Sequence, residues 1–434
     1  MESQTTIAAL SSGAGRAGVA VIRLSGPACR GILDTFAGGV PDARMAALRR
    51  IASPSGEAID QALVLFFPAP ASFTGEDCAE FHVHGSRAVI QRLLAELSQL
   101  EGVRLAEPGE FTRRAFENGK IDLLAAEDLA DLIDSETELQ RRVAMAGQAG
   151  RFRNHVAAWR GEMLGLQALV EAQIDFTDEA DIPADLSDHL AAAMAALSAK
   201  MHASLSDSLR SERLREGYVV ALAGPPNVGK SSLLNALARR DVAIVTPVAG
   251  TTRDILEVRL DLDGVPVLLR DLAGLRPTRD VVESIGVARA RDAMRDADLV
   301  LWLQAPDVDM EAPPADIAHK ALVVTSKVDL APVHASGLAV SATTGAGIAR
   351  LLDALTKRAE AALHFGESTI ALNLRQEAAL RAGMAALRRA QAAQEIEFLA
   401  EELRQAATAL HSLIGGIGVE EVLGHIFGRF CIGK

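Results

Sequence analysis

One stretch near the middle of the chain limits its fold more than any other. Tyr218–Ala223 is an apolar run typical of a buried strand. The next residues, Gly224–Ser231, match the pattern G-x-x-x-x-G-K-S, and Leu233–Leu237 places leucines at helical spacing. Strand, glycine-rich turn and helix in this order predict a phosphate-binding loop within an α/β nucleotide domain. A chance glycine-rich turn is the alternative.

The residue types of this loop have physical reasons. Glycines let the backbone curl so that N–H groups point at a phosphate, and the helix N-terminus favours an anion. Lys230 is placed to reach the β- and γ-phosphates, and the Ser231 hydroxyl to ligate Mg²⁺. The loop residues that we expect to bind nucleotide are Asn227, Val228, Gly229, Lys230, Ser231 and Ser232.

Two segments further along are expected to sense the γ-phosphate. The strand Val267–Asp271 ends in D-x-x-G, so that Asp271 would hold Mg²⁺ through water and the Gly274 N–H would contact the phosphate. Before it stands a segment with threonines at 246, 251 and 252, where one threonine ligates Mg²⁺ only when a triphosphate is bound.

The base is predicted by two later segments. A strand at 322–325 leads into S-K-x-D, which is Ser326, Lys327, Val328 and Asp329. The Asp329 carboxylate can accept hydrogen bonds from guanine N1–H and the 2-amino group, a pair that adenine lacks. Ser341, Ala342 and Thr343 follow a short strand and are expected to cap the guanine O6. These elements indicate GTP, with an ATP-preferring site as the alternative.

Three positions depart from the usual patterns. Ser326 replaces the asparagine of N-K-x-D and lacks the amide that braces the site, so we expect guanine selectivity with weaker affinity. Leu272 replaces the threonine of D-T-A-G. Leu275 stands where Ras-type GTPases have a glutamine that orients the attacking water, and it cannot do so. Glu283 is the candidate for that role.

Composition narrows the class of protein. A net charge of −13 argues against a protein that coats nucleic acid non-specifically. Cys29, Cys78 and Cys431 have no metal-binding spacing and fit a reducing cytosol. Neither a signal peptide nor an apolar run of membrane-spanning length is seen. We therefore expect a cytoplasmic protein with no membrane contact.

The distribution of strand-like and helix-like segments predicts a multidomain fold, part α/β and part all-α. Residues 1–118 alternate short strands and helices, as in an α+β domain, with strands at 19–24 and 62–67 and a helix at 86–100. Residues 119–216 predict a long-helix bundle, in which 122–151, 152–174 and 186–215 are each almost unbroken. Residues 217–364 form the nucleotide domain, and 365–434 return to helices. The simplest topology is a helical domain interrupted by an inserted P-loop domain of the Ras-like α/β type.

Six short motifs suggest a family. They are Ser72–Asp77, Pro108–Phe116, Asn118–Asp122, Ile174–Phe176, Gly250–Asp254 and Phe430–Lys434. On these residues the chain resembles, from end to end, the tRNA modification GTPases of the MnmE (TrmE) family.

The resemblance implies an activity and partners. The family forms homodimers through the N-terminal domain and a heterotetramer with the FAD-dependent subunit MnmG. Together they install an aminomethyl-type (carboxymethylaminomethyl) group at carbon 5 of the wobble uridine in certain tRNAs. The one-carbon donor is a tetrahydrofolate derivative (5-formyl- or methylene-tetrahydrofolate). By position, the folate-binding residues are Arg23, Glu80, Lys120 and Lys434; without the resemblance, the first three would be surface ion-pair residues.

The resemblance also implies hydrolysis that depends on potassium and on two nucleotide domains meeting face to face. The K⁺ ligands are Asn227, Thr246, the backbone of Val248, and Thr251. The Mg²⁺ ligands are Ser231 and Thr252, and Glu283 positions water.

Several points stay open. Cys431 is either a catalytic thiol or a small buried residue that places Lys434. His82 and His84 share one face of a strand and form either a metal pair or structural contacts. The alternative function is a regulatory GTPase switch, such as a ribosome-assembly factor. A folate-dependent transferase whose nucleotide domain is only a gate is a third possibility.

Overall fold

The structure is a computed structural model that describes residues 5–13, 15–175, 185–205, 208–244, 256–272, 283–330, 337–363, 370–415, 430 and 433. The chain divides into two compact units. One comprises Met1–Ala130 with His411–Lys434, and the other Asp131–Leu410. The predicted fold class is confirmed, because both units mix sheets with helices and a large part of the second is helical. The four predicted domain ranges stay a prediction.

A six-stranded sheet organises the first unit, in the order β3-β4-β5-β2-β1-β6. All neighbours are antiparallel except β1 and β6. The strands are β1 Thr6–Leu10, β2 Ala17–Ser25, β3 Ala47–Ala52, β4 Ala58–Phe67, β5 Cys78–Gly85 and β6 Val103–Leu105. The helices are α1 Cys29–Ala37, α2 Arg87–Ser98, α3 Glu110–Glu117 and α4 Leu123–Ile133. The predicted strands lie within β2 and β4, and the predicted helix is α2.

Strand β5 shows how the sequence sorts the two faces of this sheet. Phe81 and Val83 are buried in the core with residues of α1 and α2. Alternation along a strand puts Glu80, His82 and His84 on the opposite face. The polar side chains of β5 are therefore kept away from the hydrophobic core.

Gly433, near the C-terminus, is anchored beside the end of β1. Gly433 has φ of +100°, and a Cβ added there would lie 2.1 Å from the Leu10 carbonyl oxygen. The Ser11 hydroxyl donates a hydrogen bond of 2.7 Å to the Gly433 carbonyl. Only glycine combines this backbone conformation with so close an approach.

The nucleotide domain of the second unit contains a seven-stranded sheet in the order β13-β12-β11-β7-β10-β9-β8. Strands β7 and β10 to β13 run parallel, and β9 and β8 are antiparallel to their neighbours. The strands are β7 Tyr218–Ala223, β8 Ala243–Ile244, β9 Leu256–Leu262, β10 Val265–Asp271, β11 Leu299–Gln304, β12 Ala321–Thr325 and β13 Leu338–Ala339. Every residue of β7 is buried, as expected for a strand covered on both faces.

Helices complete the second unit. Those around the sheet are α9 Lys230–Ala238, α10 Glu283–Asp296 and α11 Ile348–Ala362. The others are α5 Glu138–Gln148, α6 Arg151–Asp175, α7 Asp185–Leu205, α8 Ser208–Glu216, α12 Leu374–Ala392 and α13 Ile396–Ser412. Helix α7 packs against α6 and α12. No helix in the described part of the chain is both long enough and apolar enough to cross a membrane.

The expectation of an almost unbroken helix over 122–151 is wrong. Helix α4 ends at Ile133 and α5 begins at Glu138. Thr137 starts α5 with a capping box, in which its side chain and that of Gln140 bond to each other's backbone N–H groups. Such a box satisfies N–H groups that a continuous helix would not expose, and so favours a new helix start.

The N-terminal end of helix α5 is hydrogen-bonded to the nucleotide domain and to α8. The Leu139 N–H donates to the Gly264 carbonyl at 3.0 Å, in the turn between β9 and β10. The Gln140 side chain donates to the Leu214 carbonyl at 3.0 Å, and Arg259 pairs with Glu136 at 3.1 Å.

Candidate nucleotide-binding site

The glycine-rich loop lies between β7 and α9 and curls through backbone conformations that few residues adopt. Gly224, Asn227 and Gly229 have φ of +135°, +65° and +92°. A Cβ at Gly224 would lie 2.4 Å from the Leu303 carbonyl oxygen of β11. Glycine and asparagine tolerate left-handed backbone better than other residues. The sequence therefore dictates this loop locally.

The cationic and hydroxyl groups of the motif converge on the loop. Lys230 begins α9, and its ammonium donates to the carbonyls of Gly224 at 2.9 Å and Pro225 at 2.8 Å. The Ser231 hydroxyl donates to the Asp271 carboxylate at 2.8 Å. Asp271 is fully buried at the end of β10. A hydroxyl and a carboxylate are hard oxygen ligands, so this pair fits Mg²⁺.

The predicted base segments surround a cavity of about 250 Å³. Among the predicted residues, those that line the cavity are Gly229, Ser232, Ser326, Lys327, Asp329, Ala342 and Thr343. Ser341 is buried beneath them, and its hydroxyl accepts a hydrogen bond of 3.1 Å from the Thr344 N–H. Residues more than a hundred positions apart in sequence thus meet around one cavity.

Two contacts made by residues that line this cavity were not predicted from the sequence. Lys327 has φ of +56°, and its ammonium forms an ion pair of 2.7 Å with Asp307. The hydrogen bond from Lys327 holds the pKa of Asp307 below its usual value. The Ser326 hydroxyl donates to the Val228 carbonyl of the glycine-rich loop. The missing asparagine amide therefore does not leave the two segments unlinked.

Several predicted residues lie outside the described part of the chain. They are Thr246, Val248, Thr251, Thr252, Gly274 and Leu275, and with them most of the expected K⁺ ligands. Glu283 is the first residue of α10, and the position of its side chain is not described. The roles of these residues stay predictions.

A second cavity, of about 360 Å³, lies in the first unit. Its lining includes Arg23, Arg44, Thr74, Cys78 and Glu80. Arg23 of β2 and Glu80 of β5 are register partners, and the guanidinium bonds one carboxylate oxygen at 2.9 Å. The result is a cavity with both charges on its wall.

The other two predicted folate-binding residues, Lys120 and Lys434, do not line this cavity in the described part of the structure. The Lys120 ammonium donates to the Pro70 carbonyl at 2.9 Å, and its aliphatic stem lies near Gly75. It therefore contacts the segment that leads into the cavity wall. Lys434 and Cys431 lie outside the described residues, but Gly433 is anchored beside Leu10, whose register partner Ile22 adjoins Arg23.

The two histidines of β5 make structural contacts. His82 lies 3.1 Å from the second oxygen of Glu80, and His84 lies 2.7 Å from Asp60. Among the described residues, no group of three or more His, Cys, Asp or Glu could hold a metal ion. These contacts favour the structural interpretation over the metal pair.

A partly buried ionic network in the first unit was also missed. Arg104 forks onto Glu110 with contacts of 2.7 and 2.5 Å, and Arg114 joins Glu110 to Glu76. Burial alone would raise the pKa of Glu110, but hydrogen bonds from Arg104 and the Glu107 N–H outweigh it and lower that pKa. Glu110 and Glu76 belong to two of the six motifs, so packing explains part of those motifs.

The strand, the glycine-rich loop, the Ser231–Asp271 pair and the cavity around Asp329 define the class of protein. They are the parts of a P-loop nucleotide-binding domain of the GTPase type. The family model for the MnmE helical domain matches residues 123–431, and the model for the GTP-binding protein TrmE N-terminus matches residues 6–120. The chain belongs to the MnmE family of tRNA modification GTPases.

Relatives match over their whole length. The "tRNA modification GTPase MnmE" of Beijerinckia indica is 49% identical over 433 residues, which is 99% of this chain and 96% of the relative. The protein of the same name from Methylobacterium sp. is 50% identical over 440 residues, 99% of each chain. That from Brucella canis is 47% identical over 434 residues, 99% of this chain and 98% of the relative.

Two solved structures are similar to part of the chain. The G domain of the Thermotoga maritima FeoB iron transporter is 27% identical and covers 32% of this chain and 98% of its own, with a TM-score of 0.23. Aquifex aeolicus Era bound to GDP·AlF4⁻ is 26% identical and covers 41% of this chain and 68% of its own, with a TM-score of 0.26. The family assignment does not depend on them.

Changing Gly224 to alanine tests the loop geometry. The added methyl group would overlap the Leu303 carbonyl, so the loop or β11 must shift. We expect affinity for GDP, measured by calorimetry, to fall by about tenfold or more, since roughly 1.4 kcal/mol corresponds to tenfold. Gly337→Ala is the matched control, because no atom of the described residues lies within 4 Å of its added Cβ. Equal affinities for both variants would contradict this account of the loop.

Proposed function

We propose that the chain binds and hydrolyses GTP in the cytoplasm and that this activity serves the modification of tRNA. The main support is the identity of 47–50% over whole relatives named as tRNA modification GTPases. The finer proposal is an aminomethyl-type (carboxymethylaminomethyl) group installed at carbon 5 of the wobble uridine. In this proposal the protein acts as a homodimer within a heterotetramer with the FAD-dependent subunit MnmG. It uses a tetrahydrofolate derivative as the one-carbon donor.

The glycine-rich loop, the Ser231–Asp271 pair and the residues around the first cavity suit GTP chemistry. The Lys230 ammonium would neutralise charge on the β- and γ-phosphates, Ser231 would ligate Mg²⁺, and Asp271 would hold the ion through water. The Asp329 carboxylate selects guanine by accepting from N1–H and the 2-amino group. Phosphoryl transfer needs little beyond such positioning and charge neutralisation.

Hydrolysis requires groups besides these. A bound K⁺ supplies positive charge where an arginine finger acts in other GTPases. Asn227, Thr246, the Val248 backbone and Thr251 are its proposed ligands, and Thr252 is proposed to join Ser231 on Mg²⁺. Since Leu275 cannot orient water, Glu283 is proposed to do so when two nucleotide domains meet.

The second cavity suits a reduced folate. Such a ligand carries hydrogen-bond donors on its pterin ring and carboxylates on its tail, and the wall offers Glu80 and Arg23 for them. Lys120 and Lys434 are proposed to add positive charge, and the anchored Gly433 supports the second of these. Cys431 acts either as a catalytic thiol or as a small residue that places Lys434.

A deletion strain tests the proposed function. We expect mass spectrometry of its tRNA to show wobble uridines that lack the group at carbon 5, and wild-type protein to restore them. Lys230→Ala should fail to restore them, because the phosphates lose their cation. Lys357→Ala, an exposed lysine of α11, is the matched control and should succeed. Unchanged nucleosides in the deletion strain would instead indicate a regulatory switch.

Salt exchange tests the proposed potassium site. We expect GTP hydrolysis to be about tenfold faster or more in KCl than in NaCl of equal concentration, because one preorganised charge is worth at least that much. Asn227→Gly keeps the left-handed backbone available while removing the side-chain oxygen, and it should abolish the difference. Equal wild-type rates in the two salts would remove K⁺ from the mechanism.

Glu80→Gln tests the folate cavity. Loss of a charged hydrogen-bond acceptor costs about 1.5–3 kcal/mol, so affinity for 5-formyl-tetrahydrofolate, measured by calorimetry, should fall roughly tenfold to a hundredfold. Glu57→Gln is the control, since this exposed carboxylate pairs with Arg92 and does not line the cavity. An unchanged affinity in Glu80→Gln would exclude Glu80 from folate binding.

A further inference from the structure

Ser326 joins two parts of the nucleotide site that are far apart in sequence. It follows β12 and is buried. Its N–H donates to the Gln304 carbonyl at 2.7 Å, and its hydroxyl contacts both that carbonyl, at 3.1 Å, and the carbonyl of Val228. A hydroxyl has one proton to donate. The Val228 carbonyl is the shorter contact, and the Gln304 carbonyl also receives the Ser326 N–H, so we assign the hydroxyl proton to Val228.

Val228 occupies a sensitive place in the glycine-rich loop. It is fully buried and stands between Asn227 and Gly229, both with left-handed backbone. The peptide unit from the Val228 carbonyl to the Gly229 N–H is planar and trans. A hydrogen bond that holds the carbonyl therefore also fixes the direction of the Gly229 N–H.

The same serine begins the segment that faces the base. Ser326, Lys327 and Asp329 line the cavity together with Gly229. A Cβ at Gly229 would lie 3.8 Å from the Ser326 hydroxyl oxygen and 3.9 Å from the Lys327 stem. The phosphate loop and the base segment are thus in direct contact, and the Ser326 hydroxyl provides a hydrogen bond between them.

We propose that Ser326 is a positioning residue that couples guanine recognition to phosphate recognition through the Val228 carbonyl. The proposal rests on GTP as the ligand. With the hydroxyl present, Asp329 and the Gly229 N–H are held in one geometry, so base and phosphate are bound together. Without it, a buried carbonyl loses its partner and each segment is free to shift.

Two ligands separate this coupling from a general effect on folding. Inosine diphosphate lacks the 2-amino group that would donate a hydrogen bond to Asp329. The ratio of GDP affinity to inosine diphosphate affinity therefore reports the Asp329 contact. A brace of the phosphate loop alone would weaken both ligands equally. Coupling predicts that both weaken and that the ratio also falls.

The experiment measures both affinities by calorimetry on the full-length protein. Ser326→Ala should bind GDP about tenfold more weakly, or worse, and lower the ratio by about threefold or more. Ser326→Asn offers an amide donor at the same place and should bind GDP at least as tightly as wild type. Thr356→Val is the matched control, since this buried hydroxyl donates to the Leu352 carbonyl within α11 and, among the described residues, has no other hydrogen bond. It should change neither affinity.

An unchanged ratio in Ser326→Ala would overturn the proposal, whether or not the GDP affinity falls. If that variant does not fold, Ser326→Asn decides, and a folded Asn variant that binds GDP tenfold more weakly would overturn it as well. Hydrogen exchange of the Gly229 amide in protein without nucleotide gives an independent answer. Faster exchange in Ser326→Ala supports the link, even if GTP proves not to be the ligand; unchanged exchange would refute it.

Discussion

The parallel pairing of β7 with β10 on one side and β11 on the other is the constraint on which the nucleotide site depends. The register sets Leu222 opposite Asp271 and Ala223 opposite Trp302. The carboxyl ends of these strands therefore meet at one edge of the sheet. Chain segments at that edge carry the glycine-rich loop, the Asp271 carboxylate and the residues predicted to contact the base. Ligand sites of open parallel sheets generally form there.

Much of this edge could be predicted because its residues are dictated locally. The loop of Gly224 and Gly229 needs left-handed backbone and close approach, and Lys230 and Ser231 have fixed offsets from it. The order of strands and motifs then predicts the fold class. What remained hidden were contacts between segments, such as Lys327 with Asp307, because nothing in the local sequence around Asp307 marks its partner.

The break between α4 and α5 shows another limit of periodicity. The sequence there is rich in helix-forming residues, and it reads as nearly continuous helix. Yet Thr137 and Gln140 form a capping box, and Gln140 also donates to the Leu214 carbonyl. The first turn of α5 bonds in turn to the β9–β10 hairpin at Gly264. Tertiary partners for the helix start outweighed local propensity, which is weak by comparison.

The same physics explains the polar groups in the N-terminal unit. Glu110 is buried, and an unpaired carboxylate there would be neutralised or strongly destabilising. Ion pairs with Arg104 and Arg114 keep Glu110 charged without that destabilisation. Arg114 also forms an ion pair with Glu76. Such a network adds little net stability over apolar packing, but breaking it is costly, so it fixes one arrangement of the segments it joins. Two motifs separated by about thirty residues are thereby held together, and Thr74 of the first motif lines the cavity of Arg23 and Glu80. A motif in this family is thus not always a set of ligand contacts, and part of it can be the frame that holds those contacts in place.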